Sequence, residues 1–519
     1  MEGFTCPFSL TYSALLFWTV AVPLAASLPL LLGCLKGTPA RLLAALGAML
    51  PLLGALYLAA HYAGAYTVGG YAFYCNAQLG LPAAGIALKL GLNGISLPMF
   101  VMAAIVSFCA VLYAIGGRQE RQSLYLGLLL VMSSGVLGLF ASIDLFYFYF
   151  FHELALIPTF IMIGIWGGKA RRVAAIEMTI YLTLGAMLVL AGLVALYVLS
   201  GLNTFDFITL RQAIAQNPLG EGSQHWIYGL LLIGFGILVS LFPFHTWAPR
   251  GYANAPASAA MLHAGVLKKF GLYGLIQLIA PLLPVGAASW TGLLVVLALC
   301  NVLVIGLITM AQKDLRYMLG YSSVMHMGYA FLGIATMGTL GLGAALMMMF
   351  AHGLAVAALF LMADCVAVRN SGETDMASIG GMVKHTPVFA AFFAAATFAS
   401  AGLPGFANFW GELGIFTAVF KMNSTVSALA ILGIIISAIY GLRALAAIFY
   451  GPHSKAYEQR IAQYGAPADL QPYEKLPVMI LLGALMFAGF WPRAVSEPVN
   501  AELSSRQPAV AVQTANAAE

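Results

Sequence analysis

Charge is what this chain has least of. Only 8% of its 519 residues are Asp, Glu, Lys or Arg, while 62% are hydrophobic and the mean hydropathy is +0.93. A soluble domain carries about 25% charged residues, so an ordinary hydrated surface is excluded. The cysteines Cys6, Cys34, Cys75, Cys109, Cys300 and Cys365 include no CxxC pair. That argues against a thiolate metal or haem site and leaves buried thiols as the default. Glycines lie within apolar runs and not in a strand–GxGxxG–helix unit, so a flavin or nicotinamide fingerprint is missing. No basic, aromatic-interleaved stripe offers a surface for nucleic acid. The alternating short strands of an outer-membrane barrel are absent too.

What remains is long apolar sequence. A stretch of about 20 apolar residues spans a bilayer as a helix. The chain therefore reads as an all-α polytopic membrane protein with about fourteen transmembrane helices. The runs lie at 10–34, 44–64, 91–116, 124–140, 145–167, 173–200, 226–244, 256–281, 287–310, 317–336, 339–367, 386–420, 426–450 and 474–491. The first lacks a basic n-region and an A-x-A site, so it reads as a retained helix.

The net charge of +5 and pI of about 8.8 follow from positive-inside bias without an anionic partner. Lys36 and Arg41, Arg118 and Arg121, Lys169 with Arg171 and Arg172, Lys313 and Arg316, Arg369 and Lys384, and Lys455 and Arg460 fall on one set of alternate loops. Arg211 is among the few on the other set. This predicts both termini on the periplasmic side of a bacterial inner membrane, with 492–519 a polar exocytoplasmic extension.

Two runs are interrupted. GFGILVSLFPFHTWAPRGYANAP contains Pro243 and Pro249, and ASAGLPGFANFWGE contains Pro404 between glycines. Proline removes a backbone donor and clashes with the preceding turn, so both helices should break. Non-helical backbone at membrane depth is tolerated where it is buried or lines a wet cavity, and paired breaks point to a transport site. Nearby apolar sequence holds ionisable residues: Glu153, Lys268, Lys269, His326, His352 and Glu412. A charge at bilayer depth costs about 2.5–3.5 kcal/mol on insertion scales, so such groups face the protein interior and carry protons or ions.

Six blocks narrow the reading. FFHELALIPTFIMIGIWGG, FPFHTWAPRG…AP, LHAGVLKKFGLYG, QKDLRYMLGYSSVMHMGY, FAHGLAVAALFL and ASAGLPGFANFWGE occur in that order. As a set they resemble the M-type antiporter-like subunits of respiratory complex I, NADH:quinone oxidoreductase, across about residues 85–495. The resemblance implies a fourteen-helix fold with two inverted five-helix repeats and discontinuous helices 7 and 12. Residues 1–122 would hold helices 1–3, 123–282 the first repeat (helices 4–8), 283–451 the second (helices 9–13), and 452–519 the last helix and a periplasmic tail.

It also implies proton translocation along a central charged axis, driven by quinone reduction elsewhere in the complex. The chain would hold no cofactor; NADH, FMN, iron–sulfur clusters and quinone would belong to partner subunits. Expected partners are L-type and N-type antiporter-like subunits, small membrane subunits and the lipid bilayer, with no nucleic acid. Related subunits occur in multisubunit cation/proton antiporters and membrane-bound hydrogenases, which stand as alternatives. Glu412, where several of those place lysine, favours the M type.

Roles carry over residue by residue. Glu153 matches the fifth-helix glutamate, which normally pairs with a seventh-helix lysine. That lysine would fall at position 238, where this chain has Leu238; Ser240 replaces a usual proline, and 173–267 contains no lysine. Glu153 is then left without its partner unless Lys268, Lys269 or Arg250 reaches it, and a non-pumping scaffold is a further alternative. Glu177 stands where the family often has lysine, and it either serves an altered entry route or answers nearby arginines at the interface. Lys269 matches the eighth-helix lysine. Lys268 replaces a usual leucine, and at 100° per helical residue the two should not share one narrow channel. His326 and His352 match positions linking that lysine to the exit, and Glu412 closes the axis. His263 belongs either to the same path or to packing. His152 is not part of the usual motif.

Overall fold

The computed structural model describes residues 11–117 and 119–506; Cys6, Arg118 and 507–519 of the polar tail lie outside the described residues. The chain opens with two helices, α1 (Tyr12–Leu31) and α2 (Thr38–Ala60). A small antiparallel sheet, which apolar periodicity alone does not announce, follows as β1 (Thr67–Val68), β2 (Tyr71–Leu81) and β3 (Ile86–Leu92). Gly69 and Gly70 take φ of +59° and +88° at the first turn, as a two-residue primed hairpin turn requires. Ile86, Leu88, Leu90 and Leu92 are buried at alternate positions of β3, the signature of a strand lying on a core. The apolar run from 91 therefore starts as strand, and its helix begins at Ser96.

The helical body continues as α3 (Ser96–Gly116), α4 (Gln122–Ala141), α5 (Leu145–Trp166) and α6 (Arg171–Ser200). After the short α7 (Phe207–Gln216), the seventh run is broken into α8 (Glu221–Val239) and α9 (Trp247–Asn254). The eighth run is broken as well, without an internal proline at the break: α10 (Ala257–Gly265), a 3-10 turn at Leu267–Lys269, α11 (Phe270–Gly274), a π turn at Leu275–Ile279 and α12 (Ala280–Leu282). A second π turn at Asn301–Ile305 joins α13 (Pro284–Cys300) to α14 (Gly306–Ala311).

Two unbroken helices, α15 (Leu315–Ala335) and α16 (Thr339–Arg369), come next. The twelfth run then splits into α17 (Pro387–Ser400) and α18 (Ala407–Met422), followed by α19 (Ser424–Phe449) and the short α20 (Lys455–Tyr464). The chain ends in α21 (Pro472–Phe490) and α22 (Arg493–Ser505), so the polar tail begins as a helix. Among the described residues, 11 helices are long and apolar enough to cross a membrane. α15 falls outside that set because Tyr321, Ser322, Ser323 and His326 lower its apolarity.

The connections gather on two faces. On one, Lys169 meets Glu373, Arg41 meets Gln122, and Arg443 donates to Gln312 O; this is the basic face. On the other, Arg211 donates to Gly69 O, Asn93 to Glu502, and Tyr147 to Leu79 O; this is the hairpin face. Both ends of the described chain lie at the hairpin face: Tyr12 packs on Phe73, and α22 carries Glu502.

Each face holds one matching device. Asp144 and Asp206 form an isolated β-bridge that starts α5, and Asp314 and Asp375 form the same bridge at the start of α15. Leu145 N donates to Phe205 O, and Leu315 N to Thr374 O, both at 2.9 Å. Asp144 and Asp314 also cap their helices by accepting from first-turn amides, which satisfies donors that a helix start leaves open. α16 forms the centre: its most apolar stretch is wholly buried, packed on α3, α10, α15, α18, α21 and α22.

Candidate functional site

A broken helix leaves carbonyls and amides that must find partners when water is excluded. In this chain polar side chains supply them. At the seventh run Ser240 adopts φ +69°. Asn301, in the π turn of the ninth, donates to Ser240 O (3.2 Å) and Val324 O (3.1 Å) and accepts from Phe242 N (2.6 Å). Trp247 Nε1 donates to Ile237 O at 3.0 Å, and His245 stacks on Phe242. Trp247 and the stacked Phe242–His245 pair thus hold the break together.

At the eighth run Val266 leaves helical geometry (φ −122°, ψ −62°). Lys269 Nζ donates to Ala264 O at 2.6 Å and stands 3.5 Å from His352 Nδ1. Lys268 Nζ turns to Ser323 Oγ (3.3 Å) and lies 5.6 Å over the Tyr252 ring. Both lysines are buried. The 3-10 turn points them to different helices, α16 and α15, and both directions are interior because neighbours surround this run. They face different helices, as the 100° separation implies, and both lie in one buried region.

The cluster continues toward the twelfth run. The His352 and His326 rings lie 5.5 Å apart and edge-on. His326 Nδ1 faces Ser322 O (2.7 Å) and Nε2 faces Ser400 O (3.1 Å), the latter at the end of α17. A neutral imidazole donates through one nitrogen only, so the ring can serve one carbonyl or the other, and both only when it holds an extra proton. Ser322 Oγ also bonds the Tyr440 hydroxyl (2.7 Å). Tyr329, 5.9 Å from the His326 ring, and Tyr440 both lie within electrostatic reach of Glu412. Glu412 is buried, and Gly402 (φ +73°) makes room for it: a Cβ there would overlap the carboxylate. The GLPG break is thus the cradle of that acid.

The entry half differs from its expectation. Leu238 is buried, and its side chain packs toward Gly185 of α6. Arg250, Lys268 and Lys269 do not reach Glu153. Among the described residues the ion-pair contact of Glu153 is with its neighbour His152, Nδ1 to Oε1 at 3.5 Å. Glu177 forms an ion pair with Arg250 of α9 and accepts from the Thr246 hydroxyl (3.2 Å). It answers an arginine across the break, not those beside it in sequence. His263 Nδ1 lies 3.1 Å from the Tyr252 hydroxyl, whose ring also faces Lys268.

The structure therefore brings Lys268, Lys269, His263, His326, His352 and Glu412 into one buried polar axis, with Glu153 and His152 on its flank and Glu177 at its rim. Asn301, Tyr252, Ser322, Ser323 and Tyr440 complete it. A lone Asn in LALCNVLVIG and the paired serines of YSSVMHM were the available signals for three of them.

Residues 142–437 match the family model described as NADH:quinone oxidoreductase/Mrp antiporter, TM, more than half of the chain. The chain belongs to this family. An NAD(P)H-quinone oxidoreductase chain 4 of Picosynechococcus sp. is 34% identical over 80% of this chain and 77% of its own length. The NADH-quinone oxidoreductase subunit M of Rhodobacter capsulatus is 32% identical, over 80% of each. Among solved structures, a chain of respiratory complex I from Thermus thermophilus with bound NADH superposes with a TM-score of 0.84 at 30% identity, covering 95% of this chain and 100% of that one. A chain of the Mrp complex from Dietzia sp. shares the fold, with TM-score 0.82 at 20% identity over 97% and 99%. This is an antiporter-like, multi-pass membrane subunit of the complex I type.

Proposed function

We propose that this chain moves protons across a bacterial inner membrane as the M-type subunit of a complex I-like NADH:quinone oxidoreductase. Lys269 is the central carrier, His352 and His326 relay, and Glu412 is the exit group; Glu153, Lys268, His263 and Glu177 belong to the entry half. The observation that carries this is the succession of close contacts from Lys269 through His352 and His326 to the broken helix that cradles Glu412. Adding a charge to one member of such a desolvated row raises the energy of a like charge beside it, so uptake at one end drives release at the other. Imidazole suits the middle because it can accept at one nitrogen and donate at the other.

Redox chemistry belongs to other subunits in this account, and this chain binds no NADH, FMN, iron–sulfur cluster or quinone. Its neighbours are L-type and N-type antiporter-like subunits and small membrane subunits. The matching Asp144–Asp206 and Asp314–Asp375 bridges on opposite faces support two inverted repeats, 123–282 and 283–451, flanked by 1–122 and 452–519; fourteen spans in all belong to the same reading. The cluster of basic connections supports a cytoplasmic basic face and periplasmic termini.

Purification of the tagged chain in mild detergent, with partners identified by mass spectrometry, tests the assignment. Recovery with NADH-oxidising and iron–sulfur subunits is expected. Recovery with small antiporter subunits or a nickel hydrogenase would overturn the enzyme named here and keep the fold.

A further inference from the structure

Among the described residues no lysine or arginine forms an ion pair with Glu153, whose ion-pair contact is with His152. The carboxylate sits on the flank of α5, with 27% of its side chain exposed, whereas the His152 side chain is 3% exposed. Successive helical residues point about 100° apart, so a single step along α5 turns from the flank to the interior. There the His152 ring stacks on Phe270, centroids 3.9 Å apart and planes 21° apart. Phe270 directly follows Lys269.

His152 also lies within electrostatic reach of His263, which in turn feels Lys268 and Lys269. Three buried atoms at this spot, His152 Nδ1, Glu153 Oε1 and His263 Nε2, make no hydrogen bond to a protein group. Buried polar atoms are ordinarily satisfied, and exceptions call for a functional account. Lys268 does not compete for the position, since its ammonium is turned to Ser323 on α15 and Tyr252 on α9.

We propose that His152 carries the proton between Glu153 and the Lys269 centre. The inference rests on the translocation account above and supplies the entry group that Leu238 cannot. The ring takes up a proton at one nitrogen and gives one up at the other, which leaves it neutral in the opposite tautomer; a turn of the ring or proton exchange restores the first tautomer before the next transfer. Stacking on Phe270 holds its plane while either nitrogen exchanges.

The test uses the whole enzyme in sealed liposomes, with the proton-to-electron ratio measured for H152F, H152Q and K269A. H152F preserves an aromatic ring against Phe270; H152Q preserves a polar group that cannot carry a proton. NADH:quinone reduction with an uncoupler present reports assembly in each case. The expected result is that both His152 variants lower the ratio by as much as K269A while uncoupled turnover persists. A normal ratio in H152Q or H152F beside a lowered ratio in K269A would overturn the role of His152 and leave the central axis standing. A normal ratio in all three would overturn the translocation account itself.

Discussion

Asn301 shows what one polar side chain does when a helix opens inside apolar surroundings. Its amide satisfies three backbone groups at once, on two other runs of the chain. Removing it strands buried groups at about 1–3 kcal/mol each. Asn301→Leu should therefore destabilise the subunit by about 3 kcal/mol or more, read as a lower melting temperature of the purified complex in detergent. Residues of this kind were hard to read from sequence because their partners lie about sixty positions away. Glu153, Lys269, His326, His352 and Glu412 were easier, since a charge or imidazole in hydrocarbon needs a reason. Helical spacing set Lys268 apart from Lys269, and the two ammonium groups do face different helices, though a 3-10 turn amid close neighbours buries both. At this scale Glu412→Gln should leave quinone reduction intact under uncoupled conditions and remove the exit step, measured as slower acidification of the vesicle interior.

Elements follow the same logic of satisfied ends. The breaks at Pro243 and Pro404 could be foreseen because proline disfavours helix interiors, whereas Pro249 sits in the first turn of α9, where proline is tolerated. The break after Gly265 could not, because it depends on close tertiary neighbours: a Cβ at Gly265 would press on Gly353 O of α16 at 2.9 Å. The hairpin is hidden for a different reason, its last strand merging with the apolar run of α3. Gly402→Ala should be poorly tolerated, since φ +73° strains an L residue and the added methyl displaces Glu412. Altered assembly or a lowered proton-to-electron ratio would check this.

The end of α16 is tied to α21 by Arg369, which donates to both Glu474 oxygens (3.0 and 2.7 Å). Breaking a buried pair by removing one partner costs about 3–5 kcal/mol, so Arg369→Met should lower the melting temperature sharply.

Asp144, at the hairpin face before α5, has its carboxyl pushed up to about 6, chiefly by burial. It binds its proton more tightly folded than unfolded. The stability gained is complete below its unfolded value of about 3.9 and is lost as pH rises through about 6. Asp144→Asn should flatten the change in melting temperature between about pH 4 and 7.

The whole molecule is organised by where charge is placed. Basic connections gather on one face, both described chain ends on the other, and a row of ionisable side chains runs through the interior between two broken helices. α6 presents Ile176, Ile180, Leu184 and Val198 outward, as a helix facing lipid or a neighbouring subunit does. Composition foretold the class, and motif order foretold the family, but the fate of the entry half depended on how α5, α6 and the eighth run pack. Leu238 turns to α6, and His152 turns to Phe270.

The central claim is that this axis pumps. The measurement that tests it most directly is the proton-to-electron ratio of the liposome-reconstituted complex carrying Lys269→Ala, compared with the unaltered enzyme at equal uncoupled turnover. The account predicts a ratio lowered by this subunit's share. An unchanged ratio would contradict it and leave the chain a membrane scaffold.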